Sequence, residues 1–408
     1  MSSIASNTFS NTRRVSLRGN PYAWIMRQIG KRLRCGTLTV ITPEQACVVY
    51  RGPGSGPEAV LVLHRWRTLR RLLLQGDVSF GDAFMDGDWS SPDPTALLEL
   101  AARNLTPLSP AIDGTPIARL MNRVLHRLHA NTLSGSRRNI RHHYDLGNAF
   151  YALWLDGGMS YSSALYQTPG LTLEEAQEAK NARILALLES APHHNVLEIG
   201  CGWGGLATRL GEAGCSVTGL TLSPAQLAYG SESVAARGLA GRVDLRLQDY
   251  RLSTGSFDRV VSIEMLEAVG EAFWPRYFEI LRERLKPGGL AVLQVITIED
   301  ARFDIYRRSP DFIQRHIFPG GMLPPPSALR HHIAAAGLVL RQVETFGDSY
   351  ARTLVAWRQR FSESWSQIAA MGFSERFRRM WDYYLCYCEA GFRAGAIDVG
   401  LWQIARPA

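Results

Sequence analysis

Residues 195–205 read N-V-L-E-I-G-C-G-W-G-G: a short apolar run, an acid, then four glycines in six positions. The pattern predicts a strand that stops at a tight turn and hands over to a helix at 206–212. Glycines leave the backbone bare and free to take left-handed angles, so a nucleotide-bearing ligand can lie directly against peptide N–H groups at a helix start. Gly200, Gly202 and Gly205 also satisfy G-x-G-x-x-G, so the loop by itself admits more than one such ligand.

Neighbouring residues choose between them. Glu198 sits on the strand just before the glycines, as in the first motif of S-adenosylmethionine (SAM)-dependent methyltransferases. The next strand, 216–220, ends in Thr221, where a dinucleotide enzyme places an acid for its ribose. Further on, 285–290 reads L-K-P-G-G-L, a turn that precedes the fifth strand of the methyltransferase sheet. Together these assign a SAM site. Gly200, Gly202 and Gly204 are expected under the adenosyl group, Thr221 and Gln226 at the ribose, and Asp249 with Tyr250 by the adenine. Trp203 is expected either over the sulfonium, where a cation on a ring gains about 0.5–2 kcal/mol, or in the core.

Strands at 195–199, 216–220, 243–247, 258–263 and 289–297 alternate with helices. That alternation predicts an α/β fold: a parallel, Rossmann-like sheet with right-handed crossovers. An insertion at 300–336 is expected as a lid over the carboxyl ends of the strands. Two further strands (338–344 and 353–358) and apolar helices to 403 complete the reading. Ahead of this domain, short strands at 36–42, 46–50 and 59–64 and helices at 67–74 and 94–103 predict a small α+β domain. The expected division is a disordered tail at 1–20, the α+β domain at 21–115, a connector helix within 116–138, and the catalytic domain at 139–408.

Charge is unevenly spread. Residues 1–141 carry 19 Lys or Arg against 9 Asp or Glu, and the remainder carries 26 against 28. A basic front third suits an anionic surface. No nucleic-acid motif or interleaved aromatic pattern accompanies it, so the expected partner is anionic membrane phospholipid and not nucleic acid. No run approaches the ~20 apolar residues of a membrane span, and the polar start lacks a signal core. The expectation is a cytoplasmic protein, peripheral at the inner face of the membrane, with a homodimer left open. The six cysteines (35, 47, 201, 215, 386, 388) lack C-x-x-C spacing and are expected as reduced thiols. No His/Cys/acid cluster has metal spacing.

Several strings together resemble the cyclopropane-fatty-acyl-phospholipid synthase family: H-Y-D-L-G-N (143–148), M-S-Y-S-S-A (159–164), I-G-C-G-W-G-G (199–205), Q-D-Y-R (248–251), M-L-E-A-V-G (265–270), H-I-F-P-G-G (316–321), F-G-D-S-Y-A-R-T-L-x-A-W (346–357) and F-R-A-G…L-W-Q (392–403). F-G-D-A-F-M-D-G-D-W (80–89) resembles the front domain of the phospholipid-acting branch. The resemblance implies methyl transfer from SAM to a cis double bond of a lipid acyl chain. Proton loss from the resulting carbocation then closes a cyclopropane. It also implies a bound bicarbonate that takes the proton, held by a cysteine, a glutamate, a histidine and a tyrosine. Residue by residue, the glutamate is Glu267 and the tyrosine Tyr350. The cysteine position holds Ser163 and the histidine position Gln294, while Ala268 replaces the histidine that usually follows the glutamate. Tyr161 and Ser162 match positions at the methionine end of SAM, and Tyr161 could also face the sulfonium. Glu264, three residues before Glu267, is read as a cofactor-side or structural carboxylate. His143 is read as a site-lining residue, with His142 and His316 as general bases by residue type only.

Ser163 and Gln294 still donate hydrogen bonds, but the charge an imidazolium lends is gone. The reading therefore keeps cyclopropane formation beside a second outcome, methyl transfer without ring closure, giving a methyl-branched or methylene-bearing chain. Methylation of a small soluble substrate and a SAM sensor without turnover are the remaining alternatives.

Overall fold

The computed structural model describes residues 21–76, 78–105, 108, 146–308 and 310–408. The expected tail, the connector helix, His142 and His143 lie outside the described residues. The chain divides into two units: residues 1–123 with 372–394, and residues 124–371 with 395–408.

In the first unit, alternating apolar residues form β1 (Cys35–Ile41), β2 (Cys47–Arg51), β3 (Gly54–Leu63) and β4 (Trp89–Ser90), ordered β2-β1-β3-β4. Helix Pro94–Arg103 is capped by Asp93, whose side chain accepts from Ala96 N. It packs on the sheet and against helix Glu375–Arg393, where Thr95 donates to the buried Glu389 at 2.9 Å. The sequence reading grouped 375–393 with the catalytic domain. Its buried face of Trp381, Tyr383, Tyr384, Leu385 and Phe392 belongs instead to the first unit. Asp88, fully buried, accepts from Arg65 at 3.2 Å and from Arg67 at 2.5 Å. Arg71 reaches both Asp86 and Asp88. Part of the basic cluster read as lipid-facing is thus tied to the buried carboxylate of Asp88 and to its exposed neighbour Asp86.

The second unit holds a seven-stranded sheet in the order β10 (Val339–Thr345), β11 (Ile397–Ala405), β9 (Leu285–Ile298), β8 (Phe257–Ile263), β5 (Asn195–Ile199), β6 (Ser216–Thr221) and β7 (Val243–Leu247). Its parallel part comprises β5, β6, β7, β8 and β9. Adjacent residues on one strand enter different cores. Val196, Val261 and Val292 join one cluster, and Leu197, Val260 and Leu293 the other. Helices cover both faces, which is why these strands read as unbroken apolar runs. From β5 the chain continues first to β6 and β7, then returns past β5 to β8. This reversal opens a crevice at the carboxyl end of β5, where doubly wound sheets bind ligands.

Two elements differ from the sequence reading. Residues 353–358, read as a strand, lie inside helix Gly347–Glu363. Tyr350, Ala351, Leu354, Trp357 and Phe361 are its buried apolar residues, a helical stripe that a six-residue window cannot reveal. The expected helices up to 403 give way to β11 (Ile397–Ala405), which pairs antiparallel with β9 and with β10 (Val339–Thr345). Within the expected lid, helix Pro326–Ala335 buries Leu329 and Ile333 in the core and serves as a crossover, leaving 300–324 as the insertion proper. None of the six cysteines is in a disulfide. Among the described residues no helix is long and apolar enough to cross a membrane.

Candidate active site

The glycine loop follows β5 directly. Gly200, Gly202 and Gly204 have φ of +84°, +52° and +83°, angles that cost a side-chain-bearing residue about 1–2 kcal/mol. A Cβ at Gly200 would stand 2.9 Å from Met265 Cγ, whereas one at Gly202 would meet nothing within 4 Å. The loop therefore presents bare peptide at the crevice. Gly200 N and Cys201 N both donate to Leu220 O, at 3.0 and 2.8 Å, which locks the turn to β6. Beneath it, Glu198 Oε2 is buried without a partner, and burial pushes its carboxyl group up to about 8 against the opposing charge of Lys180.

The other expected cofactor residues lie at the carboxyl ends of the neighbouring strands. Thr221 Oγ1 donates to Gln226 Oε1 at 2.8 Å, so the two hold each other at the end of β6. Asp249, after β7, caps the following turn. It accepts from Arg251 N at 3.0 Å and pairs with the Arg251 guanidinium at 2.6 Å. Tyr250 packs edge-on against Tyr277, and burial pushes its hydroxyl up to about 12. Trp203 is 4% exposed and donates Nε1 to Asn148 Oδ1 at 2.8 Å, a core tryptophan with its polar edge satisfied. Tyr161 stands amid rings, with centroids 5.5 Å from Tyr151 and Trp154 and 5.4 Å from Trp357.

The residues expected to hold bicarbonate come together, but around a different glutamate. Glu264 Oε1 accepts from Ser163 N at 2.8 Å and from Gln294 Nε2 at 2.7 Å, and Glu264 Oε2 accepts from the Tyr350 hydroxyl at 2.6 Å. Ser163 takes part through its backbone, since its hydroxyl donates to Ala164 O at 2.9 Å. Glu264 has φ +47°, a backbone state uncommon outside glycine that persists where surroundings over-determine it. Its backbone N donates to Gln294 O at 2.8 Å. With three side-chain hydrogen bonds and this fourth, the conformation is held.

Glu267 does something else. Its Oε1 accepts from Ile296 N at 2.5 Å, and its carbonyl accepts from Met322 N at 2.8 Å, joining β9 to the insertion. Its Oε2 and Gln294 Oε1 are buried without partners, a cost of about 1–3 kcal/mol each that a ligand or water relieves. Burial and the nearby Glu264 charge push the Glu267 carboxyl group up to about 8. Glu264 is raised too, by burial, against the pull of Tyr350, Ser163, Gln294 and Lys180.

Two flanking helices fasten the 161–166 segment. From Gly347–Glu363, Thr353 Oγ1 accepts from Ala164 N at 3.1 Å and Ser349 Oγ accepts from Tyr166 N at 3.0 Å. From Leu173–Leu187, Gln177 Nε2 donates to Ser162 O and Lys180 Nζ donates to Ser162 Oγ, both at 2.9 Å. The sequence reading missed Gln177 and Lys180. The signal was present: both fall on the buried stripe of Leu173, Ala176, Ile184 and Leu187, where a solvated residue has no place. His316 packs its ring 4.8 Å from Phe312.

The comparisons with known proteins agree with this architecture. The family described as mycolic acid cyclopropane synthetase matches residues 132–404. The tuberculostearic acid methyltransferase UfaA1 of Mycobacterium tuberculosis is 38% identical over 366 residues, covering 85% of this chain and 83% of the relative. The cyclopropane-fatty-acyl-phospholipid synthase of Escherichia coli K12 is 34% identical over 348 residues, 82% of this chain and 84% of that one. The crystal structure of the mycolic acid cyclopropane synthase CmaA1 with SAH and CTAB superimposes with a TM-score of 0.62 at 30% identity, over 66% of this chain and 98% of that one. With its glycine loop, crevice and sheet order already in place, the chain belongs to the mycolic acid cyclopropane synthetase family and is a SAM-dependent methyltransferase that acts in lipid methylation.

Proposed function

We propose that this enzyme methylates the cis double bond of an unsaturated phospholipid acyl chain and that Glu264, in place of bicarbonate, takes the proton. The product is then a methylene-bearing or methyl-branched unsaturated chain and not a cyclopropane. The observation that carries this reading is the commitment of Tyr350, Ser163 N and Gln294 to the Glu264 carboxylate. Tyr350, Ser163 and Gln294 are three of the four residues the resemblance assigns to bicarbonate, and each already donates to a carboxylate of the chain itself, Ser163 through its backbone N. Bicarbonate does not fit a pocket so filled.

SAM supplies a methyl group made electrophilic by its sulfonium. The double bond's electron pair forms the new C–CH3 bond as the S–CH3 bond breaks, leaving a secondary carbocation. A carboxylate has about four lone-pair sites. Three of Glu264's accept hydrogen bonds, which leaves one on Oε2 for the proton. Ring closure and methylene formation both take the proton from the transferred methyl group, and they differ in whether a hydride shift comes first. A hydride shift to the more stable tertiary cation precedes proton loss, and the electrons of the broken C–H bond become a methylene double bond. The Tyr161, Trp154 and Trp357 rings exclude water and favour the cation electrostatically. That one relative, 38% identical, is named a tuberculostearic acid methyltransferase and another, 39% identical, a probable fatty acid methyltransferase supports this outcome.

Residues of the first unit supply the membrane contact in this reading. Helix Pro21–Lys31 exposes Trp24, at 61%, alongside Arg27 and Lys31, a composition suited to an anionic bilayer surface. In this reading the enzyme works at the inner face of the membrane.

The test is incubation with labelled SAM and anionic vesicles of cis-monounsaturated phospholipid, followed by mass spectrometry and proton NMR of the released fatty acids. Vinylidene protons without high-field ring protons are expected. Ring protons would overturn the assignment of Glu264. Bound SAM with no lipid product would overturn the substrate.

A further inference from the structure

Helix Leu173–Leu187 begins with a reciprocal capping box between Thr172 and Glu175, which sets its register. In that register Gln177 and Lys180 lie on the inward face, at 2% and 3% exposure. A buried ammonium costs several kcal/mol unless it is balanced. The hydrogen bond from Lys180 Nζ goes to a neutral group, the Ser162 hydroxyl. Its balance must therefore come from carboxylates. Asp156, Glu264 and Glu198 all bear on it electrostatically.

The three acids are not equivalent. Asp156 is engaged by its own turn: Oδ1 accepts from Ser160 N at 2.8 Å, and Oδ2 from Gly158 N at 2.8 Å and Ser160 Oγ at 3.3 Å. Glu198 has a buried, partnerless oxygen and is pushed up to about 8 by burial, so it is largely protonated at neutral pH. Glu264 is the carboxylate best furnished to stay ionised, having three donors. It also lies one peptide from the lysine's own anchor. Lys180 and Gln177 grip the hydroxyl and carbonyl of Ser162, and the following N–H, that of Ser163, is the one aimed at Glu264 Oε1.

We propose that Lys180 is a positioning residue for Glu264: it fixes Ser162 so that the Ser163 N–H meets the carboxylate, and its ammonium is the buried counter-charge that keeps Glu264 ionised until the substrate cation forms. This inference rests on the reading of Glu264 as the proton acceptor. The role differs from that of Tyr350 and Gln294, which touch Glu264 directly. Lys180 acts through Ser162 and through charge. The groups facing the pair are Asp156, Glu198 and Glu267, the Tyr350 hydroxyl and the Gln294 amide. None of the five carries a positive charge, so Lys180 has no substitute among them.

The test compares the wild type, Lys180→Met and Glu264→Gln in single-turnover methyl transfer to cis-monounsaturated phospholipid vesicles, at saturating SAM and across pH. Methionine keeps the apolar stem and removes the charge. For Lys180→Met, turnover at neutral pH should fall about tenfold or more and recover as pH rises. The acidic limb should move up by roughly one unit, equivalent to about 1.4 kcal/mol. A limb that stays in place, whatever the loss in rate, reduces Lys180 to a packing role and overturns the proposal. Glu264→Gln separates this from failure of the parent reading. If it keeps wild-type turnover and product, Glu264 is not the acceptor. If it is inactive while the Lys180→Met limb is unmoved, only the inference about Lys180 falls. Should Lys180→Met not fold, the double variant Lys180→Met/Glu264→Gln decides. Removing both charges should restore folding relative to Lys180→Met alone, and a double variant that is no better overturns the proposed pairing.

Discussion

The hydroxyl of Tyr350 donates to Glu264 Oε2 at 2.6 Å across 86 residues of sequence, and this bond joins helix Gly347–Glu363 to the segment that follows β8. A hydrogen bond to a charged group is worth about 1.5–3 kcal/mol, and here it favours the ionised carboxylate. Tyr350→Phe should therefore raise the proton affinity of Glu264. Methyl-transfer turnover at neutral pH should fall on the order of 10- to 100-fold, and the acidic limb of the rate profile should shift upward. SAM affinity, measured by calorimetry, should stay near the wild-type value. Loss of SAM binding with an unshifted limb would place Tyr350 in the cofactor site.

Glu264→Gly is expected to change the product. Glycine accepts φ +47° without strain, and removing the carboxylate leaves Tyr350 Oη, Ser163 N and Gln294 Nε2 as three donors that converge where it stood. That is a carboxylate-sized anion pocket. Activity of the variant should be low in carbonate-free buffer and recover with added bicarbonate. The rescued product should contain cyclopropane, seen as high-field ring protons. A variant that stays inactive with bicarbonate while binding SAM normally would show that these donors do not make a working base site.

Gly200→Ala tests the cofactor loop. The new methyl group meets Met265 Cγ at 2.9 Å and the backbone sits at φ +84°, so the turn must shift at a cost of about 1–2 kcal/mol or more. SAM affinity should fall by roughly tenfold or more, with far-UV circular dichroism unchanged. Equal affinity would mean that SAM does not lie against this turn.

The sheet was legible because its parallel strands are buried on both faces and read as apolar runs punctuated by Gly200, Gly214 and Gly288. Parts that depend on tertiary partners were not. Helix Gly347–Glu363 hid behind the β-branched pair Thr353 and Val355, and β11 behind the apolar composition of 397–405. In the site, the sequence located Ser163, Gln294 and Tyr350 as a group but centred them on Glu267. Glu264 and Glu267 stand three positions apart, and the left-handed backbone at Glu264 decides which carboxylate turns toward the trio. No local pattern announces a positive φ at a glutamate. Lys180 was legible in principle, as a charge on a buried helical stripe, but a lysine in a run of glutamates reads as a solvated face until Ser162 is placed against it.

Glu267 should leave a mark on stability. Burial, with help from the Glu264 charge, lifts it from 4.5 to about 8. Between those values the folded chain holds a proton that the unfolded chain has released. The stability this group contributes is complete below its unfolded value and is lost as pH rises through about 8. Glu267→Gln mimics the protonated form and keeps an acceptor for Ile296 N. Calorimetric unfolding of the two proteins should nearly coincide at about pH 5, and the variant should be the more stable by on the order of 4 kcal/mol at about pH 8.5. Glu198, raised in the same way, is common to both proteins and cancels in the difference. Parallel stability curves over this range would mean that Glu267 ionises in the fold as it does in water, and its buried, unpartnered oxygen would then have to be solvated.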